Sequence, residues 1–302
     1  MNTFRPKLFE SADFENWKRY LDENGFIVLR NILQKETMIT YFKLFAKDWK
    51  YVSPNFDFHN KETWTPSNSP MMWNKGMVYW NGLSHSDFMW SLRIEPNILD
   101  IWQKLHNTKD LVSSFDAFSV YLSNKQKSNS WLHTDQSFES ELYSIQGAYN
   151  FLPVTENSSG FVVVLKSHKT YQTKKKSKTN FSQIDKDDPH NDKAVKLIIP
   201  ENCFVLWNSK TIHANRGITD KKLIYDFNRL TCYLTYFPKS LRTDEIFKKR
   251  LNGYKEGITC SHFAVDYKPK QHSYGVKKTY ESRNFNFIKK YDNIPAEIYD
   301  LI

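Results

Sequence analysis

The chain is poor in the residues that small secreted and repetitive proteins depend on. Among its 302 residues are 3 cysteines, 9 glycines and 11 prolines. Cys203, Cys232 and Cys260 are odd in number and lack paired spacing, which excludes a disulfide framework and a zinc ribbon and indicates a reducing compartment. The low glycine and proline content excludes collagen-like and low-complexity classes.

Long apolar segments are also missing. No stretch approaches the ~18 consecutive apolar residues of a membrane span. The first 17 residues lack the apolar core of a secretory signal peptide. We therefore predict a cytoplasmic protein without a transmembrane segment.

The residues that are abundant suit a folded, basic protein. Hydrophobic residues make up 40% and aromatics 16% of the chain, enough for a sizeable core. The formal net charge of +10 permits binding to nucleic acid, anionic lipid or phosphorylated ligands. A merely solubilising surface explains this charge equally well, because the lysines are scattered and no nucleic-acid motif accompanies them.

Helical and strand patterns occupy different parts of the chain. Apolar residues at helical spacing follow Phe14, Lys35 and Ile94, whereas short alternating or apolar runs bounded by turn residues follow Asp110. Helices followed by many short strands predict an α+β fold with a β-barrel or sandwich core and flanking N-terminal helices. The predicted segments are a flexible arm (1–12), one domain (13–238) and a C-terminal extension packed on it (239–302). That domain would comprise a helical layer (13–109) and a barrel core (110–238), which carries a polar insertion (169–192).

The segment SNSWLHTDQSF contains a candidate metal-binding pair. His133 and Asp135 are two residues apart, so on a strand their side chains share a face. A histidine from a distant strand would complete a facial triad, which leaves coordination positions open for substrate and oxygen. His133 could instead cap a strand.

Two further residues follow in an order that suits this chemistry. His213 comes after the apolar run CFVLWNS and supplies the third candidate ligand, and Arg229 opens the strand pattern RLTCYLTY. A guanidinium at the start of an apolar strand suits bidentate binding of a carboxylate. The alternatives are a core histidine bonded to a carbonyl group and a surface pair between Arg229 and Asp226.

From about Asp22 to Pro238 the sequence resembles the phytanoyl-CoA dioxygenase family of oxygenases. The resemblance is carried, in order, by DENGFIVLRNIL, WLHTDQ, SIQGAYNFLPVTENSSGFVVVLKSHK, ENCFVLWNSKTIHANRG and the strand that begins at Arg229. Two features depart from the family pattern. Lys166 replaces the glycine of a Gly-Ser-His motif, and TDKK lengthens the interval between His213 and Arg229, which leaves Arg216 as a rival to Arg229.

The resemblance implies a double-stranded β-helix (jelly-roll, cupin-like) fold and iron(II)/2-oxoglutarate chemistry. It assigns iron to His133, Asp135 and His213, and the distal carboxylate of 2-oxoglutarate to Arg229. Other positions that match cosubstrate contacts are Tyr121, Tyr149 and Asn215. The expected activity is hydroxylation of a small-molecule or lipid-like substrate with release of succinate and CO2, using O2 and stimulated by ascorbate. The alternatives are the same chemistry on a nucleic acid or protein, and a non-catalytic metal-binding barrel.

Overall fold

The computed structural model describes residues 2–65, 67–73, 76–122, 131–172, 181–216, 227–270, 286–290 and 292–302. The chain divides into two compact units. The first comprises Met1–Ile32 and Tyr121–Thr231, and the second comprises Leu33–Val120 and Cys232–Ile302. The KKKSK part of the polar insertion and the TDKK insertion lie outside the described residues. The domain bounds given above stay a prediction.

Two facing sheets form the first unit. One has the strand order β1 (Asn2–Phe4), β11 (Val195–Leu197), β9 (Gly160–Val163), β13 (His213–Arg216), β7 (His133–Thr134) and β10 (Ser182–Gln183). The other contains β2 (Leu8–Glu10), β3 (Phe26–Arg30), β12 (Cys203–Asn208), β8 (Ile145–Asn150) and β14 (Arg229–Tyr233) in that order. From β7 to β14 the chain passes repeatedly between the two sheets, which is the double-stranded β-helix arrangement predicted from the sequence.

The first helix, α1 (Phe14–Asn24), covers the second sheet as the sequence predicts. Trp17 and Leu21 are fully buried on its inner face. Gly25 ends the helix with φ 82°, a left-handed conformation that favours glycine. A Cβ atom at Gly25 would lie 2.5 Å from His168 Nδ1 and 2.6 Å from Thr211 Oγ1. The turn before β3 therefore requires glycine for both conformation and space.

Residues 1–12 differ from the flexible arm that their sequence predicted. Strand β1 pairs in parallel with β11, and β2 pairs in parallel with β3. The aromatic rings of this segment hold it in place, because Phe4 packs 6.5 Å from Phe26 and Phe9 packs 5.3 Å from Tyr20. Main-chain pairing with sheet edges outweighs a polar, weakly periodic sequence.

The second unit is mainly helical. Its helices are α2 (Lys35–Val52), α3 (Asp87–Arg93), α4 (Pro96–His106), α6 (Asp244–Lys255) and α7 (Ala296–Leu301). Strand β4 (Met77–Val78) pairs with β6 (Phe118–Tyr121), and β5 (Leu111–Ser113) pairs with β15 (Tyr236–Pro238). Helices α2 and α4 confirm the sequence prediction, whereas α3 was not predicted. Among the described residues, no helix has the length and apolar character needed to cross a membrane.

The single-turn helix α5 (Ser167–Thr170) of the first unit follows a strained residue. Lys166 adopts φ 62° and ψ 6°, the left-handed conformation that the glycine of the related motif would adopt freely. Its backbone N–H donates to Asn24 O at 2.9 Å, which fixes this conformation. The lysine side chain is exposed and makes a surface ion pair with Glu23, at 3.4 Å.

Lys166→Gly should therefore raise the free energy of unfolding by about 0.5–1 kcal/mol. Relief of left-handed strain is worth about 1–2 kcal/mol, and the greater freedom of glycine in the unfolded chain offsets part of it. Urea denaturation would measure the change. Lys166→Ala is the matched control, since it loses the same ion pair but keeps the Cβ atom. Equal stabilities of the two variants would contradict the explanation.

Candidate metal centre

Three side chains predicted from the sequence meet between the two sheets. His133 and His213 are directly opposed partners on β7 and β13, with ring centroids 4.4 Å apart. Asp135 Oδ1 lies 3.6 Å from His133 Nε2, and Asp135 Oδ2 lies 3.2 Å from His213 Nε2. One ligand atom from each of the three residues lies within 4.8 Å of the others. This spacing suits one shared divalent cation.

Strand alternation explains why these polar groups face inward. Side chains on neighbouring positions of a strand point to opposite faces. Leu132 beside His133, and Ile212 and Ala214 beside His213, belong to a buried apolar cluster. Other members of that cluster are Val162, Val164, Ile184 and Ala194. Burial of this apolar reverse face holds the two ligand strands in a register that turns the imidazoles inward.

Backbone hydrogen bonds orient both imidazoles. His133 Nδ1 lies 2.8 Å from Trp131 O, and His213 Nδ1 lies 3.0 Å from Thr211 O. A carbonyl oxygen only accepts, so each Nδ1 carries a proton, and Nε2 is the nitrogen of each ring that is left to bind a metal. Bonds of this kind commonly orient histidine ligands of metal ions.

The donor set fits a divalent cation. The two Nε2 atoms and the Asp135 carboxylate are the donor atoms that face one another, and each can offer a lone pair to a shared cation. Two histidines and one carboxylate form the facial set of non-haem iron(II) sites, with coordination positions left open.

Aromatic rings surround the two histidines. Trp131 stacks on the His133 ring at 4.3 Å with an interplanar angle of 20°. Trp207 and Phe161 lie 5.2 Å and 5.6 Å from the His213 ring. These apolar rings lie against both imidazoles, an environment that lowers solvent access to a metal site.

Arg229 is buried without a counter-charge among the described residues. Only 2% of its surface is exposed. Its Nε donates to Thr231 Oγ1 at 2.9 Å, its Nη2 donates to Asn215 Oδ1 at 2.8 Å, and its Nη1 has no partner among the described residues. Thr231 in turn donates to Asn150 Oδ1 at 2.9 Å. A buried guanidinium held only by neutral groups is suited to binding an anion.

The other predicted cosubstrate contacts have different positions. Asn215 binds Arg229 directly, and the Tyr121 ring lies 5.7 Å from the Arg229 guanidinium carbon. The structure does not bring Tyr149 to this group. Gln146 and Asn150 face the metal centre and Arg229, so Tyr149 points to the opposite face of β8. Its hydroxyl donates to Asn202 Oδ1 at 2.8 Å on that face.

The rival residue Arg216 lies on the reverse face of its strand. Since His213 and Asn215 face inward on β13, Ala214 and Arg216 face outward. Arg216 lies close to Lys196 on this face. The pKa of Lys196 is lowered to about 8, first by burial and then by the positive charge of Arg216.

Three residues near the site were missed by sequence reasoning: Gln146, Asn150 and Thr231. Thr231 is two positions after Arg229, so strand alternation alone could have placed it on the same face. Gln146 and Asn150 share the inward face of the IQGAYN strand, but both faces of this strand are buried, so its sequence gives no signal for which face points inward. Within that segment, the resemblance to the family assigned the cosubstrate contact to Tyr149 instead.

Comparisons with known proteins support this fold. No protein-family model matches the chain. A curated relative, Ava biosynthesis cluster protein O of Aspergillus versicolor, is 24% identical over 280 residues, covering 86% of this chain and 88% of that protein.

Three solved structures superpose on most of the chain. The epimerase SnoN, in complex with Fe3+, alpha ketoglutarate and nogalamycin RO, is 13% identical with a TM-score of 0.50, covering 76% of this chain and 84% of its own. EctD from S. alaskensis, with 2-oxoglutarate and 5-hydroxyectoine, is 14% identical with a TM-score of 0.54, covering 80% and 84%. The non-heme monooxygenase ThoJ is 12% identical with a TM-score of 0.50, covering 73% and 76%. The chain has the double-stranded β-helix fold of these enzymes.

Proposed function

We propose that this chain is an iron(II)- and 2-oxoglutarate-dependent oxygenase, related to the phytanoyl-CoA dioxygenase family, that hydroxylates a small-molecule or lipid-like substrate. One observation carries the proposal. His133, Asp135 and His213 converge on one point, and Arg229, which has no ion pair among the described residues, donates to Asn215 on the same inward face of β13 as His213.

The distance between the two groups suits the cosubstrate. His213 begins β13 and Asn215, two positions along, binds Arg229. Residues i and i+2 of a strand are about 7 Å apart. A five-carbon dicarboxylate can span that length, with its keto acid end at the metal and its other carboxylate on Arg229. Arg216, on the reverse face, is less suited to this role.

The protein would supply geometry, charge and exclusion of water. Iron(II) with 2-oxoglutarate and O2 supplies the oxidising power that inserts one oxygen atom into a C–H bond, as 2-oxoglutarate becomes succinate and CO2. His133, Asp135 and His213 would hold the metal and leave positions open. Arg229, with Asn215 and Thr231, would fix the cosubstrate, while Trp131 and Trp207 limit access of water.

A small-molecule substrate is supported by the comparisons. Nogalamycin RO and 5-hydroxyectoine, present in two of the similar structures, are small molecules. The curated relative is named for a biosynthesis cluster. These likenesses favour a metabolite over a nucleic acid or a protein as the substrate of this chain.

Succinate release is the direct test of the proposed reaction. Purified protein with iron(II), ascorbate, O2 and 2-oxoglutarate should release succinate slowly without substrate, and faster with a metabolite extract that contains the substrate. Zinc(II) in place of iron(II) should abolish the release, because zinc fits the ligands but has no redox chemistry. Binding of iron and 2-oxoglutarate without any turnover would instead indicate a non-catalytic barrel.

A further inference from the structure

A series of buried hydrogen bonds connects Asp135 of the candidate metal centre to the end of the second sheet. Gln146 Nε2 donates to Asp135 Oδ2 at 3.0 Å and to Ser209 Oγ at 3.2 Å. Ser209 Oγ lies 2.7 Å from Ser144 Oγ. Gln146 is 5% exposed, Ser144 is 1% exposed and Ser209 is fully buried. Polar groups buried in this way are costly unless their partners are in place, so their positions are strongly specified.

The same residues are joined through the backbone. The Asp135 N–H donates to Ser209 O at 3.0 Å, and the Ser209 N–H donates to Ser144 O at 2.9 Å. Ser209 stands in the short turn between β12 and β13, and that turn leads to His213. The chain of bonds therefore connects the segment that carries Asp135 with the segment that carries His213.

We infer that Gln146 is a positioning residue that fixes the carboxylate of Asp135 for metal binding. The amide has two N–H groups, and both are used: one holds the carboxylate and the other is anchored by Ser209. This restricts the orientation of the carboxylate relative to the two imidazoles. The amide donor holds the carboxylate without adding a positive charge that would oppose a cation.

The inference rests on the proposed function and predicts a loss of metal affinity. Partners that orient metal ligands typically contribute about 10–100-fold to metal affinity. Gln146→Met keeps the length of the side chain but removes both donors. We expect its Kd for cobalt(II), used as the probe, to rise by about 10–100-fold, with altered visible absorption bands of the bound cobalt.

Gln136→Met is the matched control. Gln136 is also buried and directly follows Asp135, but its amide donates to Ser140 Oγ at 3.0 Å and to Leu142 O at 2.7 Å. This variant should lose thermal stability and keep the cobalt(II) affinity and spectrum of the unmodified protein.

The outcomes separate this inference from the proposed function. If the unmodified protein binds no cobalt(II), both fail together. If it binds cobalt(II) and Gln146→Met binds with the same Kd and spectrum while only its melting temperature falls, Gln146 is merely structural and the inference is overturned. If Gln146→Met does not fold, Ser209→Ala decides, because loss of the anchor should weaken cobalt(II) binding in the same direction and by less. An unchanged Kd in Ser209→Ala would then reject the inference.

Discussion

His133→Ala and Asp135→Ala should each abolish succinate release and lower iron(II) affinity by more than ~100-fold, beyond the loss expected for an outer partner. The reason is geometric. Each residue supplies one of three donor atoms within 4.8 Å of one another. Removal of either leaves two donors and opens the site to water. Anaerobic iron(II) titration and metal content after desalting would measure the loss.

A second histidine–aspartate pair provides the control for that experiment. His190 Nδ1 lies 2.7 Å from Asp188 Oδ1, and these two residues have the same i, i+2 spacing as the proposed ligands. No third ligand from another strand joins them among the described residues. His190→Ala should therefore leave iron binding unchanged. Retention of iron by both His133→Ala and Asp135→Ala would reject the proposed metal centre.

Arg229→Ala should raise the KM for 2-oxoglutarate by about 10–100-fold while iron(II) affinity is retained. The loss of a charge-assisted hydrogen bond costs about 1.5–3 kcal/mol, and about 1.4 kcal/mol corresponds to a factor of ten. Arg229→Lys should have a smaller effect, because it keeps the charge but loses the planar pair of donors. Steady-state succinate assays at varied 2-oxoglutarate would give both values.

Arg216→Ala distinguishes the two candidate arginines. Arg216 faces away from His213, so its removal should leave the KM for 2-oxoglutarate near that of the unmodified protein. A large increase in Arg216→Ala and none in Arg229→Ala would show that the roles were assigned the wrong way round.

Much of the fold could be predicted because its signals are local. Helix α2 has apolar residues at helical spacing, and α4 begins at Pro96, a residue favoured in the first turn. The strands after Asp110 are β-branched and aromatic, and the order of His133, Asp135, His213 and Arg229 along them suggested the site. Helix α3 was not predicted, because its seven residues are buried on almost every side and show no amphipathic pattern.

The rest depended on tertiary contacts that leave no local trace. The first residues of the chain become strands only because the edges of β3 and β11 accept them. Gln146 acquires its role from Asp135 and Ser209, which are distant in sequence. Both faces of β8 are buried, and Tyr149 is fully buried as well. Hydrophobicity alone therefore could not decide which face of β8 Tyr149 occupies.

The opposite charges of Asp135 and Arg229 have a thermodynamic consequence. In the protein alone, the negative Asp135 and the positive Arg229 cancel, and their described neighbours Asn150, Thr231, Asn215 and Gln146 carry no charge. A divalent cation on its own would leave a surplus of two positive charges in a buried space, and a dianion on its own would leave two negative ones. Both together restore neutrality. Metal and cosubstrate should therefore strengthen each other's binding reciprocally.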